Sequence, residues 1–368
     1  MTHQPAFAFV TLTTKYCEPL HQLLLEHYIE DTDCNIRTQL SRDYVYWYLQ
    51  RARHVVGLTY KHALIGCIGA LVIDSMVNSK QSKVAYLNLW CVQQSLRGNG
   101  LGQQLFTELK GRLTADHITQ LAYVLPYPRA ATPNLILQTY VIPVNYDRLA
   151  DIGFLPDLPA EDMPSSTGRS SGLGSPPDPD VLQPPSLPDN PLHLATSTDI
   201  PQLSTLLDAH YSRSCFRPCW DTNDQASLFL TPHKRITYTF VTRNLQGSVT
   251  NCISVFITYG SSTDDDSFAD NDWTVCTAHL RIYYCSDMSL TDLVGYLIDK
   301  LYSYEVDQLV FSSADANESI NITKYALGEQ YVYFENMSFS TKEPHAFCLP
   351  FWSNCLAVWS ISYMCAQI

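Results

Sequence analysis

The chain has 368 residues, of which 46% are hydrophobic and 16% are charged, and its formal net charge at pH 7 is −13. This length predicts roughly two domains, and the composition excludes an intrinsically disordered chain. The negative charge argues against nucleic acid binding, because a phosphate backbone requires a basic protein surface.

Hydrophobic spacing in the first half predicts two early helices, at residues 18–30 and 43–49, where apolar side chains recur every three or four positions. A third helix is predicted over residues 103–109, directly behind a glycine-rich stretch. Apolar runs predict strands at residues 55–60, 63–73, 84–92 and 118–125.

The second half shows a similar pattern of helices and strands. One helix is predicted after Asp199, with Pro201 in its first turn, and another over residues 290–304. Strands are predicted at residues 236–241, 249–259, 273–284 and 308–312. Two α/β layers in tandem follow from this repetition.

A proline- and serine-rich segment separates the halves and cannot bury enough apolar surface to fold by itself. The last residues carry no charge, which suits either a buried terminal element or a membrane tail. The domains are therefore predicted at residues 1–155, 156–191 (linker), 192–345 and 346–368 (uncharged extension).

The twelve cysteines include no C-x-x-C pair, and many lie in apolar runs. This pattern is typical of buried thiols in a reducing compartment, and no metal site is expected. No secretory signal pattern begins the sequence, so we expect a cytoplasmic protein.

The glycine-rich stretch Arg97-Gly-Asn-Gly-Leu-Gly102 follows a predicted strand and begins a predicted helix. Such a loop leaves backbone N–H groups free to bind an anion at a helix N-terminus. Its Arg-x-x-Gly-x-Gly spacing resembles the pyrophosphate loop of acyl-CoA-dependent N-acyltransferases. It does not fit the dinucleotide fingerprint G-x-G-x-x-G.

Four further segments resemble the glycylpeptide N-myristoyltransferase family. Residues 27–37 are similar to its acidic Tyr-Val-Glu-Asp-Asp-Asp loop, and residues 86–92 (Tyr-Leu-Asn-Leu-Trp-Cys-Val) to its signature Glu-Ile-Asn-Phe-Leu-Cys-Val. Residues 144–154 resemble its Asn-Pro-x-x-Leu segment, and residues 324–330 a degraded second signature. The resemblance implies an α/β (α+β) fold of two tandem acetyltransferase-like halves, each a mixed sheet flanked by helices.

The resemblance also implies a reaction, in which myristate passes from myristoyl-CoA, the co-substrate, to the amine of an N-terminal glycine. The amides of Leu89 and Trp90 would stabilise the oxyanion, which requires a β-bulge. The family's base is its C-terminal carboxylate. In this sequence the C-terminal residue is Ile368. The family's own C-terminus aligns with residues 349–351, so another acid could act instead.

The implied binding residues form two sets. Myristoyl-CoA would contact Leu89, Trp90, Cys91, Val92, Arg97, Gly98, Asn99, Gly100, Leu101 and Gly102. The glycine peptide, with a basic residue downstream, would contact Tyr28, Glu30, Asp31, Asp33, Tyr140, Gly328 and Glu329.

Two alternatives stay open. Two glycines replace cations of the family's Arg-Ser-Lys-Arg loop, which favours a shorter-chain acyltransferase such as an acetyltransferase. The altered signatures also suit an inactive homologue that binds acyl-CoA or peptide. In each case we expect a monomer with no permanently bound cofactor and no membrane span.

Overall fold

The computed structural model describes residues 7–28, 30–31, 36–125, 128, 131–151, 190–220, 230, 233, 236–262, 274–315, 317–322, 324–339 and 341–349. Within these residues, one mixed sheet contains the strands β1 (Phe7–Thr11), β2 (Glu30–Asp31), β3 (Ile36–Gln39), β4 (His54–Tyr60), β5 (Ala63–Val77), β6 (Lys80–Val92), β7 (Gln120–Leu125), β8 (Leu135–Pro143), β9 (His193–Leu194), β10 (Phe216–Pro218), β11 (Thr237–Arg243), β12 (Val249–Ser262), β13 (Thr274–Cys285), β14 (Gln308–Ser312) and β15 (Tyr325–Glu335).

The α-helices of the described residues are α1 (Cys17–His27), α2 (Arg42–Arg51), α3 (Leu101–Ala115), α4 (Tyr146–Asp151), α5 (Ile200–His210) and α6 (Leu290–Ser303). Serine hydroxyls fix two of their starts. Ser41 Oγ accepts a hydrogen bond from the Tyr44 amide at 3.1 Å, and Ser289 Oγ accepts one from the Asp292 amide at 3.1 Å. Each bond satisfies one of the amides that a helix N-terminus leaves without a partner in the helix.

The strand order shows how the two halves of the chain are joined. Across the sheet the order is β1-β4-β5-β6-β7-β15-β8-β14-β13-β12-β11-β9. β15 pairs antiparallel with β7 on one side and with β8 on the other. A strand from near the end of the chain is therefore inserted between two strands of the first half.

The apolar side chains form three clusters on the two faces of this sheet. α3 covers one face of the first half with Leu101, Leu105, Phe106, Leu109 and Leu113. The opposite face packs against α1 and α2, and α6 covers the second half. Both faces of the first half are thus buried by helices, whereas the loop that follows β6 lies at the surface.

The predicted mixed α/β fold is confirmed, with some corrections to individual elements. The prediction that the first helix reaches residue 30 is wrong, because Tyr28 is already extended (φ −88°, ψ 134°). Strands β8 and β15 were not predicted. The domain boundaries stay a prediction, since most of the proline-rich segment lies outside the described residues.

The first residues of the uncharged C-terminal extension are buried. The Cys348 amide donates to Phe216 O at 2.9 Å, and Phe347 and Cys348 are 1% and 2% exposed. Residues 350–368, including Ile368, lie outside the described residues. No helix of the described residues is long and apolar enough to cross a bilayer.

A buried histidine gives the fold an expected dependence on pH. His279 is fully buried, and its Nε2 lies 2.8 Å from Thr258 Oγ1. Burial lowers the pKa of His279 to about 3. In the unfolded chain His279 takes up a proton near pH 6.5. The stability contributed by neutral His279 is therefore complete above pH 6.5 and is lost as the pH falls toward 3.

We expect His279→Gln to flatten the pH dependence of unfolding. Between pH 6.5 and pH 5 the wild-type free energy of unfolding should fall by about 2 kcal/mol from His279 alone, and the variant should lack this component. Urea unfolding at several pH values measures it. His193→Gln, at an exposed strand position, is the matched control. Equal slopes in wild type and His279→Gln would contradict the assignment.

Candidate acyl-transfer site

A β-bulge interrupts the pairing of β5 and β6 at Leu89. Cys67 pairs with Cys91 and Gly69 pairs with Asn88, so Leu89 and Trp90 together face the single residue between Cys67 and Gly69. Leu89 is fully buried and has a φ of 53°, in the left-handed region. The predicted bulge is therefore present at the predicted position, and it turns the local backbone out of the regular ladder.

A side-chain network holds the bulge in place. The Leu89 amide donates to Asn88 Oδ1 at 2.7 Å, and the Tyr28 hydroxyl donates to the same oxygen at 3.2 Å. Asn88 Nδ2 donates to the Tyr44 hydroxyl at 3.2 Å, and the Cys67 thiol donates to Leu89 O at 3.0 Å. The network fixes the direction of the Leu89 N–H, so a substrate oxygen bound there would share this donor with Asn88 or displace it from Asn88.

The glycine loop presents open space at the start of α3. Gly98 and Gly100 have φ angles of 81° and 75°, and a Cβ added at either would meet no atom within 4 Å. Gly100 caps the 15-residue helix α3 without any side-chain hydrogen bond. The amides at a helix N-terminus and the helix dipole favour an anion at this point.

Trp90 anchors the loop from the α3 side of the sheet. Its ring stacks on Phe106 with centroids 5.4 Å apart and meets Tyr123 edge-on at 6.4 Å. Its Nε1 lies 3.4 Å from where a Cβ on Gly102 would stand. A Cβ at position 102 would therefore stand in ordinary van der Waals contact with the indole.

Cys91 and Arg97 connect β6 and the loop to α1. Burial raises the pKa of the Cys91 thiol to about 12, so the thiol is protonated at neutral pH and cannot serve as a nucleophile. Its Sγ donates to His27 O at 3.3 Å. Arg97 Nη2 donates to the same carbonyl, and Arg97 Nε donates to Val92 O at 3.1 Å. Arg97 was predicted to bind phosphate, and two of its nitrogens therefore donate to backbone carbonyls instead.

The structure places the predicted peptide residues in two groups. Tyr28 is 2% exposed and bonds directly to the bulge network, as described above. The backbone of Glu30 and Asp31 forms β2 beside β3, and their side chains are not described. Asp33 lies outside the described residues.

The remaining predicted residues lie in the pairing of β8 with β15. Tyr140 faces Ala326 and packs on Phe311 at 5.5 Å. Gly328 has a φ of 150° at an irregularity of this pairing, and its carbonyl accepts from Gln138 Nε2 at 2.9 Å. Glu329 accepts a hydrogen bond from the Tyr331 hydroxyl at 2.9 Å. Their role in peptide binding stays a prediction.

Sequence reasoning missed Asn88 and Tyr44 as parts of the site. An asparagine inside the apolar strand 84–92 was the available signal, because a polar residue there requires hydrogen-bond partners. Among the described residues, no group of His, Cys, Asp and Glu side chains could hold a metal ion.

Comparison with known proteins shows which family this chain resembles. Residues 2–131 match the family model of the N-terminal domain of myristoyl-CoA:protein N-myristoyltransferase. A protein of Acanthamoeba polyphaga mimivirus, assigned as a glycylpeptide N-tetradecanoyltransferase, is 33% identical over 337 residues, which are 90% of this chain and 86% of the relative. The Dictyostelium discoideum glycylpeptide N-tetradecanoyltransferase is 26% identical over 93% of this chain and 82% of its own length.

The fold is also similar to a solved structure. The Saccharomyces cerevisiae N-myristoyltransferase with bound myristoyl-CoA superimposes with a TM-score of 0.77 over 95% of this chain and 90% of that chain, at 17% identity. This likeness shows the fold, and the mimivirus relative shows the family. The chain belongs to the glycylpeptide N-tetradecanoyltransferase (N-myristoyltransferase) family.

Proposed function

We propose that this chain transfers a myristoyl group from myristoyl-CoA to the N-terminal glycine amine of proteins. The observation that carries the proposal is the bulge at Leu89, which precedes an open glycine loop and the N-terminus of α3 on the same strand-loop-helix unit. Membership of the N-myristoyltransferase family supports the same acyl donor and acceptor.

The proposed reaction is a direct addition and elimination. The uncharged glycine amine attacks the thioester carbonyl carbon, and the carbonyl oxygen becomes an oxyanion near the Leu89 and Trp90 amides. The oxyanion then collapses, the carbon–sulfur bond breaks, and CoA leaves as a thiolate that takes up a proton. The amine loses one proton in forming the amide. The Ile368 carboxylate stays the predicted acceptor of that proton, from outside the described residues.

A mass-spectrometric assay tests this function. The full chain is incubated with a glycine-starting octapeptide and with myristoyl-CoA or acetyl-CoA, and the peptide mass and released CoA are measured. We expect one myristoyl group on the peptide and little reaction with acetyl-CoA. A preference for acetyl-CoA would establish the shorter-chain alternative, and tight binding of myristoyl-CoA without turnover would indicate an inactive homologue.

The acidic stretch around β2 predicts the type of peptide. Glu30, Asp31 and Asp33 follow Tyr28, whose hydroxyl bonds to the bulge network. A lysine several positions after the glycine could therefore meet these carboxylates when the amine lies near Leu89. We also propose a cytoplasmic monomer as the working form.

Replacing that peptide lysine by norleucine should raise the KM for the peptide about fivefold at low salt and leave kcat unchanged, since an exposed ion pair contributes up to about 1 kcal/mol. The difference should shrink at high salt. Steady-state kinetics with both peptides measure it. A peptide with glutamate in place of lysine is the charge-reversed comparison, and equal KM values for all three peptides would rule out the acidic stretch as a binding surface.

A further inference from the structure

A buried tyrosine hydroxyl lies beside the bulge network and takes no part in it. Tyr48 is on α2 and is fully buried. Among the residues that the structure describes, its hydroxyl has no hydrogen-bond partner. Such a group costs stability, so proteins keep few of them and each one calls for an explanation. Burial raises the pKa of Tyr48, so the hydroxyl keeps its proton at neutral pH and is able to donate.

A glycine on β5 makes room for this hydroxyl opposite Asn88. A Cβ on Gly69 would stand 2.7 Å from Tyr48 Oη and 2.6 Å from its Cε1, so any side chain there would displace the phenol. Gly69 pairs with Asn88 across β5 and β6. Side chains of directly paired residues lie on the same face of a sheet, with Cβ atoms about 5 Å apart. The hydroxyl therefore lies beside the Asn88 side chain.

Asn88 already contacts the part of α2 that carries this hydroxyl. Its Nδ2 donates to the Tyr44 hydroxyl at 3.2 Å, and the rings of Tyr44 and Tyr48 pack with centroids 6.0 Å apart. Gly69, between the two strands and the phenol, has no side chain to block a rotation of the Asn88 amide. A small rotation toward Gly69 would bring the Asn88 oxygen to Tyr48.

Substrate binding at Leu89 creates a need for such a donor. Asn88 Oδ1 accepts hydrogen bonds from the Leu89 amide at 2.7 Å and from the Tyr28 hydroxyl at 3.2 Å. An amide oxygen has two lone pairs, so these two bonds satisfy it. When an acyl carbonyl takes over the Leu89 N–H, Asn88 Oδ1 loses one donor. A buried acceptor left short of a hydrogen bond would oppose that exchange.

We propose that Tyr48 is a positioning residue whose hydroxyl replaces the Leu89 amide as a donor to Asn88 Oδ1 when the acyl thioester binds. This inference rests on the proposed function. The exchange releases the Leu89 N–H to the carbonyl oxygen of the thioester. Asn88 Oδ1 keeps two hydrogen bonds in both states, and the Tyr48 hydroxyl gains a partner only in the bound state.

Infrared spectroscopy of the full chain with myristoyl-CoA, without peptide, tests this exchange. The probe carries ¹³C at the thioester carbonyl, whose stretching band moves to lower frequency when the oxygen accepts a hydrogen bond. In wild type we expect the bound band below that of free myristoyl-CoA. In Tyr48→Phe, which removes only the hydroxyl, most of this shift should be lost. The Kd for myristoyl-CoA, from calorimetry, should rise about tenfold, the effect of one hydrogen bond.

Thermal unfolding without ligand separates this role from a structural one. The Tm of Tyr48→Phe should equal or exceed that of wild type, because the variant loses a buried hydroxyl without a protein partner. Tyr211→Phe is the matched control, since Tyr211 is also buried but its hydroxyl donates to Tyr283 O at 3.1 Å. This control should lower Tm and leave the carbonyl band and the Kd unchanged. If Tyr48→Phe lowers Tm as the control does, the hydroxyl is structural and the proposal is wrong.

An Asn88→Ala background tests whether Tyr48 acts through Asn88. There Tyr48→Phe should change neither band nor Kd further, because no side-chain oxygen remains to accept from the hydroxyl. A further change would mean that Tyr48 contacts the thioester itself, which contradicts the exchange. The exchange is also wrong if Tyr48→Phe alone keeps the wild-type band and Kd, or if the wild-type band equals that of free myristoyl-CoA.

Failure of this proposal can be told apart from failure of the proposed function by adding the glycine-starting octapeptide. Peptide myristoylation by a wild type whose carbonyl band does not depend on Tyr48 refutes the exchange alone. A band that depends on Tyr48, in a chain that leaves the peptide unmodified, refutes the transferase activity alone.

Discussion

Replacing Asn88 with aspartate is expected to lower kcat at least about 100-fold and to leave the fold intact. The two side chains have the same shape, so the bonds from the Leu89 amide and the Tyr28 hydroxyl can persist. The new carboxylate would hold the Leu89 N–H more tightly and place a negative charge beside the developing oxyanion. Loss of one oxyanion donor costs about 2.7–4 kcal/mol in the transition state.

Single-turnover kinetics of the Asn88→Asp variant measure this effect without interference from product release. The matched control is Asn134→Asp, since Asn134 Oδ1 also caps a backbone amide, that of Phe334 at 2.8 Å, on another strand pair. The control should lose little activity. If Asn88→Asp retained near wild-type single-turnover rates while its Tm matched wild type, the Leu89 amide would have no part in stabilising the oxyanion.

Replacing Gly100 with aspartate is expected to weaken acyl-CoA binding and to leave stability nearly unchanged. A carboxylate at the start of α3 interacts favourably with the helix dipole by about 0.3–1 kcal/mol, which offsets much of the strain of a side chain at φ 75°. The same charge would repel a diphosphate. We expect the KM for myristoyl-CoA to rise at least about tenfold, equivalent to about 1.4 kcal/mol, with Tm nearly unchanged.

Two further variants separate charge from shape at this loop. Gly100→Asn adds nearly the same volume without charge and should raise the KM less than Gly100→Asp. Gly247→Asp is the control for backbone strain, because Gly247 has a φ of 82° and equally open surroundings in the hairpin between β11 and β12. If Gly100→Asp and Gly247→Asp gave the same KM for myristoyl-CoA, the loop would not be the phosphate site.

The features that the sequence predicted well depend on local patterns. The helical spacing of apolar residues after residue 102 predicts α3, and the apolar run 84–92 predicts β6. Each pattern arises from the buried positions of a single element. The bulge was predicted only through the family resemblance. Nothing in the spacing of Asn88, Leu89 and Trp90 shows that Leu89 adopts a positive φ.

The features that escaped prediction depend on contacts between distant residues. The bond from Tyr28 to Asn88 spans 60 positions, and that from Arg97 to His27 spans 70. Strand β15 was missed because Gly328 and Gln330 interrupt its alternation, and its partners β7 and β8 supply the pairing that keeps it extended. The sequence predicts only phosphate binding for Arg97, because the His27 carbonyl that it contacts lies on α1, far away in the chain.

The insertion of β15 between β7 and β8 has a consequence for how this protein is made on the ribosome. Until residues 325–335 have emerged from the exit tunnel, β7 and β8 each lack a neighbour and expose an open edge. The N-terminal half therefore cannot complete its sheet during synthesis, and a nascent chain interrupted before β15 should depend on chaperones and tend to aggregate.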